Sequence, residues 1–321
     1  MRSPTQPELS RGDVVALLRE AFGASVAVVD CAELSGGGFA AVWRVRLSDG
    51  RDVVLKAGPG PELPLLRYER GMIACEAAYF RLVGDRVPEV PVPRVLHHGD
   101  GWLLTTLLPG RPLSADRGGD HDGVREQLGA ALARVHTVTG GHFGYTGPRA
   151  QGATWPSAFA AMVESLLADA VTWHVTLPVP ADTIRAAVAA GAADLATVER
   201  PALVHFDLWD GNVLAVDGRL TGLVDGERFL YGDPLVDFVS PLLRRRIEEE
   251  PDHPFVRGYA AATGRPVLFD ASAGRRLALY RMYLYLLMTV EVPSRGITDE
   301  WRRTGLARLL AEEVALASRP R

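Results

Sequence analysis

The residues best suited to chemistry lie in one stretch of the chain, between positions 203 and 227. It reads LVHFDLWDGNVLAVDGRLTGLVDGE, so Asn212 follows Asp207 by five positions and Asp225 ends a later apolar run. In phosphoryl transfer, one carboxylate accepts the proton of the attacking hydroxyl, while an amide oxygen and a second carboxylate hold magnesium. The order and spacing therefore predict Asp207 as the base and Asn212 and Asp225 as Mg²⁺ ligands.

The composition of the chain strengthens this interpretation. Lys56 is the only lysine among 35 basic residues, and Asn212 is the only asparagine. Lys56 lies near the end of a strand pattern over 51–57, from which a lysine can reach the α- and β-phosphates of ATP. The alternative for a lone strand lysine is a solvated charge. The only lysine and the only asparagine both lie where a kinase needs them, which favours the phosphate-binding interpretation of Lys56.

A partner for this lysine is expected on the next helix. Apolar residues at helical spacing predict a helix over 65–83, which carries Glu69 and Glu76. Glu76 is the preferred partner of Lys56 because it lies in the middle of the helix. Glu69 is expected in the first turn, where an acidic residue complements the helix dipole.

A run of three glycines, Gly36, Gly37 and Gly38, separates two strand patterns near the start of the chain. Such a run can bring backbone N–H groups to a phosphate without an intervening side chain. A flexible turn is the alternative, since short glycine motifs match by chance. The chain contains no G-x-x-x-x-G-K-[ST] motif, which excludes a P-loop fold.

A strand pattern over 101–113 ends at Pro109–Gly110. In a two-lobed kinase the lobes join here and adenine binds backbone groups, so Thr106 and Leu108 are predicted to face the nucleotide. An ordinary buried strand before a turn is the alternative interpretation. After position 110 the pattern becomes helical, and 241–321 is predicted to contain helices only.

Bulk properties exclude several classes of protein. The 321 residues are 47% hydrophobic, enough for a large core in two lobes. A net charge of −4 without a basic patch argues against a nucleic-acid partner. The apolar segment 277–292 contains Arg281 and Glu291 and is too short for a membrane span, so a buried core helix is predicted. Two cysteines and the absence of a signal peptide indicate a cytoplasmic protein.

These stretches together resemble the aminoglycoside phosphotransferase and choline kinase-like family of small-molecule kinases. The matching segments, in the family's order, are SGGGFAAVWRV, VVLK, the Glu76 helix, VPVPRVL, LLTTLLPG, LARVH, LVHFDLWDGN and LVDGERFLYGDPLVDF. The resemblance implies an α+β, two-lobed protein-kinase-like fold. A β-rich, nucleotide-binding N-lobe would span 1–108, and a helical C-lobe with the catalytic loop and acceptor-binding helices would span 109–321.

The same resemblance implies ATP or GTP with Mg²⁺ as cofactors and a small-molecule hydroxyl as acceptor, on an antibiotic, an aminoglycoside-like molecule or a sugar. Asp207, Lys56 and Glu76 would be catalytic, and Asn212 and Asp225 would bind the metal. Two positions depart from the family pattern. Phe206 replaces a usual glycine, and Gly226 replaces a bulky residue.

Other functions stay open at this point. The segment DLWDGN also resembles the fructosamine kinase branch, which would make a ketosamine the acceptor. A catalytically silent nucleotide-binding protein of the same fold is a further alternative. A protein kinase is disfavoured because the interval between Asp225 and Asp233 is too short for an activation loop. Residues 241–321 hold 14 arginines against 10 acidic residues, which argues against a highly cationic acceptor. The oligomeric state is not predicted.

Overall fold

The structure is a computed structural model that describes residues 2–23, 25–116 and 118–319. Its helices are α1 (Arg11–Phe22), α2 (Met72–Arg86), α3 (Asp122–Val135), α4 (Trp155–Thr172), α5 (Ala181–Ala190), α6 (Ala192–Leu195), α7 (Pro254–Thr263), α8 (Ala271–Ser294) and α9 (Glu300–Ala317). Its strands are β1 (Val28–Glu33), β2 (Ala41–Leu47), β3 (Asp52–Ala57), β4 (Val95–Gly99), β5 (Trp102–Thr106), β6 (Arg111–Pro112), β7 (Phe143–Gly144), β8 (Gln151–Gly152), β9 (Ala202–Val204), β10 (Val213–Val216), β11 (Arg219–Leu223) and β12 (Leu230–Gly232). Short 3₁₀ turns include Arg67–Glu69 and Gly226–Arg228.

The first five strands form one antiparallel sheet in the order β1-β2-β3-β5-β4. Strand β3 lies at its centre, where Lys56 pairs with β2 on one side and with β5 on the other. Val53 and Leu55 point into an apolar cluster shared with helix α1. Because side chains alternate between the two faces of a strand, Lys56 points to the opposite face, toward helix α2.

Beyond this sheet the chain is mainly helical, with two small sheets ordered β11-β10-β6 and β8-β7-β12-β9. Helix α8 runs through the middle of this part and is buried on nearly all sides, as the sequence predicts for 277–292. No strand occurs among the described residues of 241–319. Within the part of the chain that the structure describes, no helix is long and apolar enough to cross a membrane.

The predicted single helix over 65–83 is wrong at its start. The chain first forms the 3₁₀ turn that contains Glu69, and α2 begins only at Met72. Gly71 separates the two elements with φ +72°, a left-handed conformation that glycine adopts without a steric penalty. Glu69 therefore does not serve the dipole of this helix. It is fully buried and forms an ion pair with Arg295 at 2.6 Å.

The loop that carries Asp207 lies between β9 and the hairpin β10–β11, and Asp217 and Gly218 make the tight turn of that hairpin. The carboxylate of Asp237 fixes the start of this loop. It is fully buried and accepts hydrogen bonds from the backbone N–H groups of His205 (2.9 Å) and Phe206 (2.6 Å). His136 contacts the same carboxylate at 3.0 Å.

Replacing this carboxylate tests how far the loop depends on it. Asp237→Ala leaves two buried backbone donors and His136 without their partner, so we expect the free energy of unfolding to fall by about 3 kcal/mol or more. Denaturant unfolding of the variant measures this change. Asp252→Ala is the control, since Asp252 is exposed and its replacement should cost within about 0.5 kcal/mol. A variant at position 237 as stable as the control would contradict the interpretation.

Candidate active site

Lys56 lies among three carboxylates that come from two distant parts of the chain. Its Nζ atom is 2.7 Å from Glu76 of helix α2, and 2.9 Å from both Asp225 and Glu227. The lysine side chain is only 9% exposed, which excludes the solvated strand charge. The predicted pair of Lys56 and Glu76 is thus in contact, and Asp225 joins it at the same point.

Glu227 is a member of this cluster that the motif analysis missed. It lies two residues after Asp225 in the same 3₁₀ turn, and it is buried. Its backbone carbonyl accepts a hydrogen bond from Arg149, another buried residue, at 3.0 Å. The position of Glu227 in the sequence could have indicated it. A carboxylate two residues after Asp225, the predicted Mg²⁺ ligand, must lie close to that aspartate.

The electrostatics of the cluster follow from three acids sharing one cation. Burial alone would lower the pKa of Lys56, but Asp225, Glu227 and Glu76 outweigh it and raise the pKa well above its ordinary value. Burial raises the pKa of Glu76, and Lys56 opposes this only in part. Burial also acts to raise the pKa of Asp225, but Lys56 outweighs it, so this pKa lies below its ordinary value. Three carboxylates thus share a single ammonium.

This excess of negative charge fits a divalent cation. Oxygen atoms of Glu76, Asp225 and Glu227 lie within 4.8 Å of one another. Asn212 uses its amide Nδ2–H to donate to the backbone carbonyl of Asp207 at 2.8 Å, which leaves its amide oxygen as a ligand atom. Carboxylate and amide oxygens are the hard ligands that Mg²⁺ prefers, so the donor set matches the predicted metal.

His205 connects the loop that carries Asp207 to the segment before Asp225. Its Nε2 atom lies 3.1 Å from the carbonyl of Val224, and its Nδ1 atom accepts from the backbone N–H of Asp207 at 3.3 Å. A carbonyl only accepts, so the proton of the neutral ring sits on Nε2. Burial lowers the pKa of His205 below its ordinary value. The imidazole thereby connects the catalytic loop to the residue before Asp225.

Asp207 itself is partly accessible, with 18% of its side chain exposed. Burial raises the pKa of this carboxyl to about 6, against the opposing effect of Arg228. The guanidinium of Arg228 lies 3.4 Å from the Asp207 carboxylate. A carboxylate in this environment is ionised at neutral pH and can accept a proton from a hydroxyl.

The unusual Phe206 is accommodated by the core. The residue has φ +71°, a left-handed conformation that explains why the family usually has glycine here. The phenylalanine is fully buried and its ring lies 5.6 Å from that of Tyr283 on helix α8. Burial of an aromatic ring contributes roughly 2 kcal/mol, which exceeds the cost of about 1 kcal/mol for one residue in this conformation.

The second departure, Gly226, has a matching compensation. A Cβ atom at this position would lie 2.3 Å from the ring of Tyr79, so the tyrosine on helix α2 occupies the space of the bulky residue. The same ring makes an edge contact with His205 at 5.1 Å. Packing behind the predicted metal site is therefore supplied by another element.

The glycine run and the predicted adenine residues lie in the first sheet and in the segment that follows it. Gly36 (φ +112°) and Gly37 (φ +73°) adopt conformations that favour glycine, in the connection between β1 and β2. Gly38 follows them, and its carbonyl accepts a hydrogen bond from Arg295. Thr106 ends β5 and its hydroxyl accepts from the N–H of Arg94.

Leu108 follows in the chain and lies against Gly222 of β11, where an added Cβ atom would be 2.7 Å from the leucine side chain. It thus connects the end of the first sheet to the hairpin after the catalytic loop. The nucleotide contacts of Leu108, Thr106 and the glycine run stay predictions.

The combination of a sheet lysine, a helix glutamate and an Asp-Asn-Asp set is that of a kinase-like small-molecule phosphotransferase. A model of the phosphotransferase enzyme family (APH) matches residues 30–279, and the chain belongs to this family. The resemblance predicted from the sequence motifs is therefore confirmed. A comparison with curated proteins gives no match.

Solved structures confirm the α+β, two-lobed kinase-like fold. A candidate fructosamine-3-kinase from Thermobifida fusca superposes with a TM-score of 0.70 at 24% identity, covering 94% of this chain and 100% of that one. Aminoglycoside phosphotransferase APH(4)-Ia gives 0.63 at 21% identity, covering 95% and 99%. Macrolide 2′-phosphotransferase from Brachybacterium faecium gives 0.56 at 19% identity, covering 92% and 97%.

Removing the only lysine tests the charge balance of the cluster. Lys56→Met leaves three buried carboxylates without a cation, so we expect the free energy of unfolding to fall by about 3 kcal/mol at pH 8. Arg308→Met is the matched control, because its ion pair with Glu312 is exposed and should contribute less than about 1 kcal/mol. Chemical denaturation of both variants gives the comparison. Equal stability of the two would show that Lys56 does not neutralise the cluster.

Proposed function

We propose that the protein transfers the γ-phosphate of ATP, with Mg²⁺, to a hydroxyl group of a small molecule. The observation that carries this proposal is the convergence of Lys56, Glu76, Asp225 and Glu227 at one point beside the Asp207–Asn212 loop. In this proposal the N-lobe, residues 1–108, binds the nucleotide. The C-lobe, residues 109–321, supplies the catalytic loop and binds the acceptor.

In this reaction the acceptor oxygen forms a new bond to the γ-phosphorus of ATP. The bond between that phosphorus and the oxygen that bridges it to the β-phosphate breaks, which releases ADP. The hydroxyl proton passes to the Asp207 carboxylate. Asn212 and Asp225 would hold Mg²⁺, which neutralises the phosphate oxygens when bound. Lys56 would orient the α- and β-phosphates, with Glu76 and Glu227 fixing its ammonium.

Support for a nucleotide cofactor comes from related folds. Aminoglycoside phosphotransferase APH(4)-Ia variants have been solved with ADP and hygromycin B and with AMP-PNP and hygromycin B. In our proposal ATP is the donor, with GTP as the alternative. Gly36, Gly37 and Gly38 would cover the phosphates, and Thr106 and Leu108 would contact the adenine.

The charges of residues 241–321, which belong to the part proposed to bind the acceptor, argue against a polycationic substrate. Recognition of an aminoglycoside calls for several free carboxylates, but the acidic side chains after position 241 are largely engaged. Arginines pair with Glu248, Glu249, Glu250, Glu291, Glu300, Glu312 and Glu313, and helix caps use Asp270 and Asp299. We therefore propose an acceptor with at most one positive charge, such as a sugar or a macrolide-like hydroxyl compound.

A ketosamine is the second candidate acceptor. Trp209, two residues after Asp207, is 42% exposed, and its ring lies over Gly211, where a Cβ atom would approach within 2.1 Å. An exposed indole beside the base can contact the apolar face of a sugar ring. The fold shared with the candidate fructosamine-3-kinase agrees with this choice. A ketosamine carries one amine, within the charge limit proposed above.

A screen of ATP consumption across neutral sugars, ketosamines, macrolides and aminoglycosides tests the proposal. We expect Mg²⁺-dependent formation of ADP and a phosphorylated product with a neutral or singly charged acceptor. Asp207→Asn should reduce product formation at least about 100-fold while ATP affinity stays within about twofold, since asparagine cannot accept the proton. Product formation by Asp207→Asn at the rate of the wild type would contradict the assignment of the base.

A further inference from the structure

The carboxylate of Asp207 has few fixed contacts. Among the described residues, the only side chain that forms an ion pair or hydrogen bond with it is that of Arg228, with Nη1 at 3.4 Å from Oδ2. The other bonds of Asp207 use its backbone, which donates to His205 and accepts from Asn212. A base must present one oxygen to the acceptor in a defined direction. The backbone contacts fix the loop, but they leave the carboxylate free to rotate.

Arg228 is itself held in place by helix α8. Its Nη2 atom donates to Glu291 at 2.8 Å, and its guanidinium lies 5.9 Å from the centre of the Tyr68 ring. The two terminal nitrogens of one planar group thus contact two different acids, Asp207 and Glu291. The side chain is 15% exposed, so this is a largely buried pair of ionic contacts.

Glu291 in turn belongs to a chain of alternating charges. Arg295, the residue directly after α8, contacts Glu291 at 3.1 Å and Glu69 at 2.6 Å. Arg295 also donates to the carbonyl of Gly38 at 2.9 Å. The chain therefore connects the carboxylate of Asp207 to the glycine run through the side chains of Arg228, Glu291 and Arg295.

We propose that Arg228 is a positioning residue for phosphoryl transfer, which uses Glu291 as its anchor to orient the carboxylate of Asp207 toward the acceptor. This inference rests on the proposed function and names a residue outside the motif that predicts it. Arg228 comes three residues after Asp225, in the same turn that carries Glu227. One short turn would thus contribute to metal binding, to the lysine cluster and to the orientation of the base.

The planar fork of arginine explains why this residue type is needed. Arginine can contact two acids at once in fixed directions, whereas lysine offers a single compact charge. A lysine in place of Arg228 could pair with Glu291 or with Asp207 but would not align both. Methionine at this position preserves much of the volume and contacts neither acid. Arg228→Lys therefore keeps the positive charge and removes the fork, whereas Arg228→Met keeps much of the volume and removes the charge.

The test uses turnover of Mg²⁺-ATP by the full chain with water as acceptor, and again with any acceptor found in the screen. We expect Arg228→Met to lower kcat about tenfold or more while the KM for ATP stays within about twofold, because the base is misplaced and the nucleotide site is intact. Arg228→Lys should recover part of the loss. Glu291→Gln should lower kcat in the same direction, since it removes the charge that anchors Arg228.

Arg276→Met is the matched control. Arg276 is 16% exposed, lies on α8 and pairs with Asp233, so its loss removes a similar ion pair away from Asp207. Its kcat per folded molecule should stay within about twofold of the wild type. Thermal unfolding of each variant gives the folded fraction.

Three results would overturn the proposal. The first is a wild-type kcat in Arg228→Met, and the second is a loss equal to that of the control. The third is a rise in KM for ATP that accounts for the whole effect, because it would place Arg228 in nucleotide binding. A wild-type protein without any Mg²⁺-ATP turnover would instead reject the proposed function, and the present inference with it.

Discussion

The buried ammonium of Lys56 is the interaction on which the rest of the site depends. A lysine is rarely buried unless it is paired, and three carboxylates at 2.7 to 2.9 Å exceed what one cation can compensate. The sheet supplies the lysine, helix α2 supplies Glu76, and the turn after β11 supplies the other two acids. These elements can pack together only if the charges meet, so the same contacts join the sheet to the helical part.

Packing around this cluster shows how the chain tolerates two departures from its family. Phe206 occupies a left-handed position because its ring is buried against Tyr283 of helix α8. Gly226 leaves space that the Tyr79 ring fills. Each change is thus balanced by an aromatic residue from another element.

The sequence allowed much of the site to be predicted, since its signals are local. The spacing of Asp207 and Asn212 lies within one loop, and the single lysine is visible in the composition. Glu76 followed from helical periodicity. The structure brings all of these groups to the same region, whereas their roles in catalysis remain predictions.

The parts that sequence reasoning missed depend on long-range contacts or on backbone conformation. Arg228 and Glu291 are 63 positions apart, and nothing in either segment indicates that they pair. In the structure, the helix predicted over 65–83 begins only after Gly71, which adopts a left-handed conformation. The sequence does not show this, because glycine adopts left-handed and helical conformations with similar ease. Glu69 was misplaced for the same reason, and its partner Arg295 lies far along the chain, just after α8.

We expect the cluster of Lys56, Glu76, Asp225 and Glu227 to need a divalent cation before it can receive ATP, because three carboxylates outnumber one ammonium. The thermal unfolding midpoint of the wild-type protein with ATP and Mg²⁺, compared with that in ATP and EDTA, tests this requirement. Tm should rise on the order of 5 °C with Mg²⁺-ATP at saturating concentration, and it should not rise when EDTA removes the metal. An equal rise in the presence of EDTA would contradict this expectation, since ATP would then bind the acidic site without its cation.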